Sequence, residues 1–179
     1  GVTKVGKLEV FTNKVLGRGS VGTIVYEGRF EGRRVAVKRL LKEFYDFAKR
    51  EISLLLESDE HPNLVRYFAT EEDSDFVYLA LTYCEGTLAD WVERKVKAAG
   101  DDPSPSFSSS PGGYEAQITP ELVSLMSDII SGISHIHSLN IVHRDLKPAN
   151  ILIDTHRKAR ISDMGLAKKF EGTHFSYSI

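Results

Sequence analysis

The sequence has 179 residues, a length of about one domain, and its composition is 41% hydrophobic and 27% charged. These proportions are typical of a soluble globular chain and exclude a disordered, fibrous or collagen-like protein. The formal net charge of −2 excludes the basic footprint expected for binding nucleic acid or an anionic membrane. A single cysteine, Cys84, excludes an internal disulfide and a cysteine-based zinc site.

The two ends of the chain indicate a segment of something longer. The sequence begins at Gly1 and stops at Ile179, inside a stretch rich in Ser and Tyr. No apolar run reaches the roughly 18 residues of a membrane span, and the N-terminus lacks a signal-peptide pattern. We therefore expect a soluble piece cut from a larger protein.

The first half is predicted to be a small sheet with one helix. From Val15 to Lys38, β-branched residues alternate with glycines around a turn region at Gly28 to Gly32, which predicts a hairpin of two strands. A helix is predicted from Lys42 to Glu57, with Glu51 at the centre of its apolar face. Two further strands are predicted, at Leu64 to Phe68 and at Phe76 to Thr82.

The second half begins after a stretch at 98–117 that is rich in Pro, Ser and Gly, which predicts a flexible insert. Thr119, Pro120 and Glu121 then give a helix start, with an N-cap hydroxyl, a proline at the first position and an acid in the first turn. The apolar stripe of this helix is interpreted as core, and it consists of Leu122, Leu125, Met126, Ile129, Ile133 and Ile136.

A glycine-rich segment, Gly17 to Gly22, could let backbone N–H groups approach phosphate oxygens. The residues that follow, Thr23 to Tyr26, are β-branched or aromatic, so the segment should connect strand to strand. This disfavours a dinucleotide site, which needs a helix at that point. Taken by itself, the segment is also compatible with a hairpin that binds nothing.

A cation and a small residue are predicted to share one face of a strand, because the period of two puts Ala36 and Lys38 on the same side. A carboxylate in the middle of an apolar helix face is costly unless a cation neutralises it, and Lys38 is the natural partner of Glu51. The alternatives are a lysine that reaches water and a helix rotated to expose Glu51.

Polar groups crowd a short loop between two apolar runs, from His143 to Asn150. Asp145 could accept a proton from a hydroxyl, and Lys147 could neutralise charge on a phosphoryl group. Asn150 and Asp163, the latter at the end of a predicted strand, offer oxygens to a divalent cation.

In this order the features resemble the protein-kinase signature: glycine loop, VAIK lysine, helix glutamate, HRDLxxxN loop and DFG, here with Met164 in place of phenylalanine. HRDLKPAN is the form typical of serine/threonine kinases. The stretches SDEHPNLVRYFATEEDSDFVYLAL and SLNIVHRDLKPANILI are similar to the unfolded-protein-response sensor kinase/endoribonucleases of the endoplasmic reticulum. The ribonuclease activated by 2-5A, which has a kinase-like domain, is the family most easily confused with them.

The resemblance implies an α+β, two-lobed kinase fold, with an N-lobe at 1–84 and a partial C-lobe at 85–179 that ends within the activation segment. It implies ATP and Mg²⁺ as cofactors, with Asn150 and Asp163 on the metal and Lys38, Glu51, Asp145 and Lys147 as catalytic residues. Ala36 and Leu152 would sandwich adenine, Thr82 to Cys84 would form the hinge, and Leu81 would be the gatekeeper. The implied nucleotide contacts are Leu16, Gly17, Gly19, Gly22, Ile24, Ala36, Lys38, Leu81, Thr82, Cys84 and Leu152.

The resemblance also implies a self-phosphorylating homodimer that signals the unfolded protein response, with Ser176 and Ser178 as candidate phosphosites. The segment would bind no nucleic acid directly and contain no membrane span. It would lie on the cytosolic side of a parent anchored in the endoplasmic reticulum membrane. The alternative is a nucleotide-binding scaffold that regulates an attached ribonuclease without phosphoryl transfer.

Overall fold

The computed structural model describes residues 1–19, 22–57, 60–98, 119–164 and 167–169. The side chains at 45, 47, 48 and 51 lie outside this description, as do the candidate phosphosites Ser176 and Ser178 and, apart from Ala98, the insert predicted at 98–117. The helices are α1 (Tyr45–Glu57), α2 (Leu88–Ala98) and α3 (Pro120–Ser138). The strands are β1 (Val2–Val5), β2 (Leu8–Arg18), β3 (Ile24–Phe30), β4 (Arg33–Leu41), β5 (Tyr67–Glu72), β6 (Phe76–Thr82), β7 (Cys84–Thr87), β8 (Ile141–Val142), β9 (Ile151–Asp154), β10 (Ala159–Ile161) and β11 (Lys168–Lys169).

The first half is a six-stranded antiparallel sheet in the order β1-β2-β3-β4-β6-β5. The sheet curls until its two edges meet, since the backbone N–H of Lys7 donates to Glu71 Oε1 at 3.0 Å. Side chains inside the curl form one apolar core that includes Leu8, Val35 and Val37, each fully buried. The opposite face carries a smaller cluster, in which Ile52 of α1 packs against β4 and β6.

The second half is built around a three-stranded sheet, β10-β9-β7, with a short β11-β8 pair beside it. Its core joins Leu125 and Ile136 of α3 to Ile151 and Ile161 of the sheet. Leu54 and Leu55 of α1 also belong to this cluster, so α1 packs on both halves. The α+β fold predicted from the sequence is confirmed, while the division at residue 84 stays a prediction.

The start of α3 and the strand Phe76 to Thr82 are confirmed as predicted. Thr119 is the N-cap, and its hydroxyl accepts the N–H of Leu122 at 3.2 Å. The apolar stripe is only partly core, because Met126 is 48% exposed while Leu125 and Ile136 are buried. The prediction for Met126 was therefore wrong: it lies on the side of α3 turned away from the sheet.

Two predicted strand boundaries were wrong. The strand expected at Leu64 to Phe68 begins at Tyr67, because Leu64 pairs instead with Ile161 of the other sheet. The expected two-stranded hairpin has three strands, β2, β3 and β4, and Gly28 lies inside β3 rather than in a turn. The turn falls at Glu31 and Gly32, where the backbone φ angles are 48° and 79°. Helix α2 was not predicted.

Gly28 is required by the close approach of two neighbours. A Cβ atom there would lie 2.5 Å from the carbonyl oxygen of Glu9 and 2.7 Å from Val37 Cγ2. Both neighbours are parts of adjacent strands, so neither can move without disturbing the ladder. A glycine inside a strand often marks such a contact.

We expect Gly28→Ala to lower the free energy of unfolding by about 1–3 kcal/mol, the usual cost of overpacking a core. Urea denaturation monitored by circular dichroism measures this change. The matched control is Gly17→Ala in β2, where a Cβ would meet nothing within 4 Å. Equal unfolding midpoints for the two variants would contradict the assignment.

Candidate functional site

The glycine segment connects one strand to the next, as predicted: Gly17 lies in β2, and Gly19 and Gly22 lie between β2 and β3. The N–H of Gly19 donates to the carbonyl of Thr23 at 2.9 Å, and Gly22 has a φ of 72°, which favours glycine. Ser20 and Val21 lie outside the described residues. None of the described residues lies within 4 Å of a Cβ placed at Gly17, so no described side chain blocks the approach of a ligand to the backbone there. Leu16 and Ile24 flank the turn, and Leu16 is 40% exposed.

The strand β4 presents Ala36 and Lys38 on one face, since residues two apart in a strand share a side. Ala36 is buried and lies opposite Leu81 of β6, while Lys38 is half-buried and lies opposite Leu79. The side chain of Glu51 is outside the described residues, so its pairing with Lys38 stays a prediction.

The chain passes from the first sheet to the second between Thr82 and Cys84. Thr82 makes two hydrogen bonds with the backbone of Arg66. Its N–H donates to the Arg66 carbonyl, and its hydroxyl accepts the Arg66 N–H at 2.8 Å. Cys84 begins β7, which pairs with β9, the strand that carries Leu152. The predicted adenine contacts therefore lie on both sheets, next to the crossing.

The polar loop is held by a buried amide. Asn150 Nδ2 donates to the backbone carbonyl of Asp145 at 2.8 Å and to its Oδ2 at 3.0 Å. Lys147 Nζ lies 3.5 Å from the same Oδ2. Because its nitrogen makes these bonds, the oxygen of the Asn150 amide is left as the atom that a cation would contact.

Asp163 follows the end of β10 by two residues and is exposed, with a φ of 59°. The preceding residue, Ser162, donates both its N–H and its hydroxyl to the carbonyl of Asn150, at 2.9 and 3.0 Å. These bonds hold the residue before Asp163 against Asn150, the other predicted metal ligand. Met164, which follows, is 1% exposed and belongs to the core of the second half, with Leu125 and Ile161.

No role for His143 was predicted from the sequence. In the structure its side chain connects Asp145 to Ser162. The ring is buried, and its Nδ1 accepts the N–H of Asp145 at 3.2 Å. The proton of the neutral ring is therefore on Nε2, which donates to the Ser162 carbonyl at 2.7 Å. One imidazole thus fixes both the residue before Asp163 and the backbone of Asp145.

Helix α1 is tied to the segment after Asp163, which the sequence also did not indicate. Arg50, next to Glu51 in sequence, donates from Nη2 to the carbonyl of Ala167 at 3.0 Å. Lys169 Nζ donates to Glu57 Oε2 at 2.6 Å. These contacts make the position of α1 depend on β11.

Comparison with known proteins identifies the family. Residues 11–178 match the model described as "Protein kinase domain". This chain belongs to the protein kinase domain family. The match confirms the predicted resemblance, and ATP use is implied for the family as a whole.

The relatives that this kinase domain matches narrow the resemblance. It is 47% identical over 94% of its length to a probable serine/threonine-protein kinase, ireA, of Dictyostelium discoideum. It is 45% identical over 99% of its length to the serine/threonine-protein kinase/endoribonuclease IRE2 of Homo sapiens. It is 44% identical over 96% of its length to the "sensor for unfolded proteins in the ER ire1" of Schizosaccharomyces pombe. The predicted enzyme class, protein serine/threonine kinase, is confirmed.

The kinase domain segment is short beside these relatives, since the matched region covers 18%, 18% and 15% of their respective lengths. None of the helices in the described ranges is both long and apolar enough to span a membrane.

The donors in the site suit ATP and Mg²⁺. Amide and carboxylate oxygens, as at Asn150 and Asp163, are the ligands that Mg²⁺ prefers, and the ion is usually shared with phosphate oxygens. The open space at Gly17 and the half-buried Lys38 are suited to an anionic group. The residues present therefore fit the cofactor that the family implies.

Burial raises the pKa of the Cys84 thiol to about 12, well above its ordinary value. Only the thiolate is a nucleophile, so this raised pKa keeps Cys84 unreactive at neutral pH in the folded chain. Cys84 therefore contributes packing at the crossing, not chemistry.

We expect iodoacetamide at pH 8 to alkylate folded Cys84 on the order of a thousandfold more slowly than the same cysteine in guanidinium, because far less thiolate is present. Mass spectrometry of the intact chain reads this directly, since the sequence has one cysteine. Raising the pH to 9.5 should speed the folded chain about tenfold per pH unit. Equal rates in the two states would show that the thiol is exposed.

Proposed function

We propose that this kinase domain segment binds ATP with Mg²⁺ and supplies the groups that transfer the γ-phosphoryl group to a serine or threonine hydroxyl. The observation that supports this most is the hydrogen bonding of Asn150 to Asp145, with Lys147 beside the same carboxylate oxygen. A solvated turn has no need of a buried amide that holds one aspartate through both its backbone carbonyl and a carboxylate oxygen.

Each group in the loop then has a distinct part. Asp145 accepts the hydroxyl proton of the substrate, and Lys147 offsets negative charge that develops nearby. Asn150 and Asp163 would hold the cation, and Lys38, steadied by Glu51, would neutralise the phosphates. Bound ATP with Mg²⁺ provides an activated phosphoryl group and a leaving group whose charge the cation offsets.

We further propose that the whole protein phosphorylates another copy of itself at Ser176 or Ser178 and signals the unfolded protein response as a homodimer. The names of the relatives support a sensor role, and the serines follow β11 in sequence. A phosphate there could pair with Arg144, an exposed side chain in the catalytic loop. Phosphopeptide mapping of the active whole protein that leaves both serines unmodified would overturn this part.

A second candidate function is a nucleotide-binding scaffold that controls an attached ribonuclease without phosphoryl transfer. The observation in its favour is that several relatives are named kinase/endoribonucleases and are far longer than this chain. It shares the nucleotide site with the first proposal but gives no part to Asp145.

The first experiment is calorimetric titration of ATP into the chain, with and without Mg²⁺. We expect binding that requires Mg²⁺, and a loss of at least tenfold in affinity for Lys38→Ala, because a cation facing the phosphates is removed. The matched control is Lys4→Ala, whose side chain is 76% exposed on the edge strand. A folded chain that binds no ATP would overturn the proposal.

The second experiment separates the two candidate functions in the full-length protein that carries this chain. Asp145→Asn should lower the rate of phosphoryl transfer by about 10²–10⁴-fold, the usual contribution of a general base, and leave ATP affinity within about twofold. Ribonuclease output that persists in this variant supports the scaffold. Output that falls with transfer supports the kinase.

A further inference from the structure

Tyr83 occupies a singular position, because it is the one residue between β6 of the six-stranded sheet and β7 of the three-stranded sheet. The predicted adenine walls lie on these two sheets, with Ala36 on β4 and Leu152 on β9. The backbone at Tyr83 therefore helps to set the distance and orientation between Ala36 and Leu152.

Arg34 grips Tyr83 in two ways. Its guanidinium carbon lies 3.7 Å from the centroid of the tyrosine ring, in cation–π contact. Its Nη2 also donates to the tyrosine hydroxyl at 2.8 Å. Both the face and the hydroxyl of the ring are thus held by one side chain from the start of β4.

Arg34 is itself braced by Glu27 of β3. The guanidinium makes a forked pair, with Nε 3.0 Å from Oε1 and Nη2 3.2 Å from Oε2. The Glu27 side chain is only 12% exposed, and Lys14 lies 3.5 Å from the same carboxylate. The hydrogen bond from Arg34 lowers the pKa of Glu27 below its ordinary value. A fork of this kind fixes orientation as well as charge.

The Glu27–Arg34 pair lies on the face of the sheet that carries Ala36 and Lys38. Glu27 is directly opposite Ala36 in the ladder, and Arg34 precedes Ala36 by two residues on the same face. From Lys38 through Ala36 to Arg34, this face runs from the predicted phosphate contact to the crossing. An ordinary surface ion pair has no such relation to a cleft or to a residue that joins two sheets.

We propose that Arg34 is a positioning residue for the nucleotide: braced by Glu27, it holds Tyr83 and so sets the spacing of the walls that accept the purine base. The inference rests on the proposed ATP binding and deepens it. Because Arg34 acts through Tyr83, its loss should weaken nucleotide binding and raise KM for ATP without lowering kcat.

The test uses the 179-residue chain and two measurements, the calorimetric Kd for Mg·ATP and amide hydrogen exchange at 82–84 without nucleotide. Arg34→Ala and Tyr83→Leu should each raise Kd roughly three- to tenfold, in line with the loss of a cation–π contact and a forked pair. Both should speed exchange at the crossing. Arg34→Lys keeps the charge but loses the fork, and we expect an intermediate Kd.

Arg29→Ala is the matched control, because Arg29 is an exposed arginine directly opposite Arg34 in the ladder. It should leave Kd and exchange at 82–84 unchanged. Should Arg34→Ala fail to fold, Tyr83→Phe provides the decision, since it removes only the hydroxyl and should raise Kd about twofold and speed exchange.

The outcomes separate this inference from the proposed function. Mg·ATP binding by the unsubstituted chain, with Kd and exchange in Arg34→Ala and Tyr83→Leu equal to those of Arg29→Ala, overturns the positioning role alone. No Mg·ATP binding by the folded, unsubstituted chain overturns both. Weaker binding and faster exchange confined to the Arg34 and Tyr83 variants support the role.

Discussion

One buried amide connects the polar groups of the candidate site. Asn150 donates to Asp145 through its side chain, and its own carbonyl accepts from Ser162, the residue before Asp163. Because a buried polar group left without partners is costly, Asn150 is stable in the core only while both neighbouring segments are in place. The positions of the polar groups in the candidate site and the stability of the second half of the chain therefore depend on the same hydrogen bonds.

His143 extends this dependence to the backbone. Its two ring nitrogens join Asp145 to Ser162, so the loop from His143 to Asn150 and the end of β10 are connected twice. The residues of this site differ in burial: His143 and Asn150 are buried, while Asp163 and Lys147 are exposed.

Much of this could be predicted from the sequence, for identifiable reasons. The strand Phe76 to Thr82 and the capped start at Thr119 depend on local residue patterns, and both were correct. Gly28 was misread as a turn because the neighbours that require glycine there, Glu9 and Val37, come from two other strands. Met126 follows the same helical period as the core residues, and only the packing of α3 shows that it faces outward.

The contacts that tie the site together were equally beyond local pattern. Arg50 and Ala167 are 117 residues apart, and Arg34 meets Tyr83 across two strands. No spacing or periodicity in the sequence indicates either contact. The motif residues were found because their chemistry is unusual for their neighbourhood, whereas the residues that support them are ordinary side chains in positions that only the fold defines.

Helix α1 belongs to two cores at once. Ile52 packs with Leu40 and Leu79 on one face of the six-stranded sheet, while Leu54 and Leu55 belong to the core of the second half, which includes Met164. Close-packed interiors do not deform continuously, so a helix anchored in two of them can shift only by repacking both. Glu51 directly precedes Ile52 in sequence, so a displacement of this part of α1 should require both clusters to repack and should pass between discrete positions.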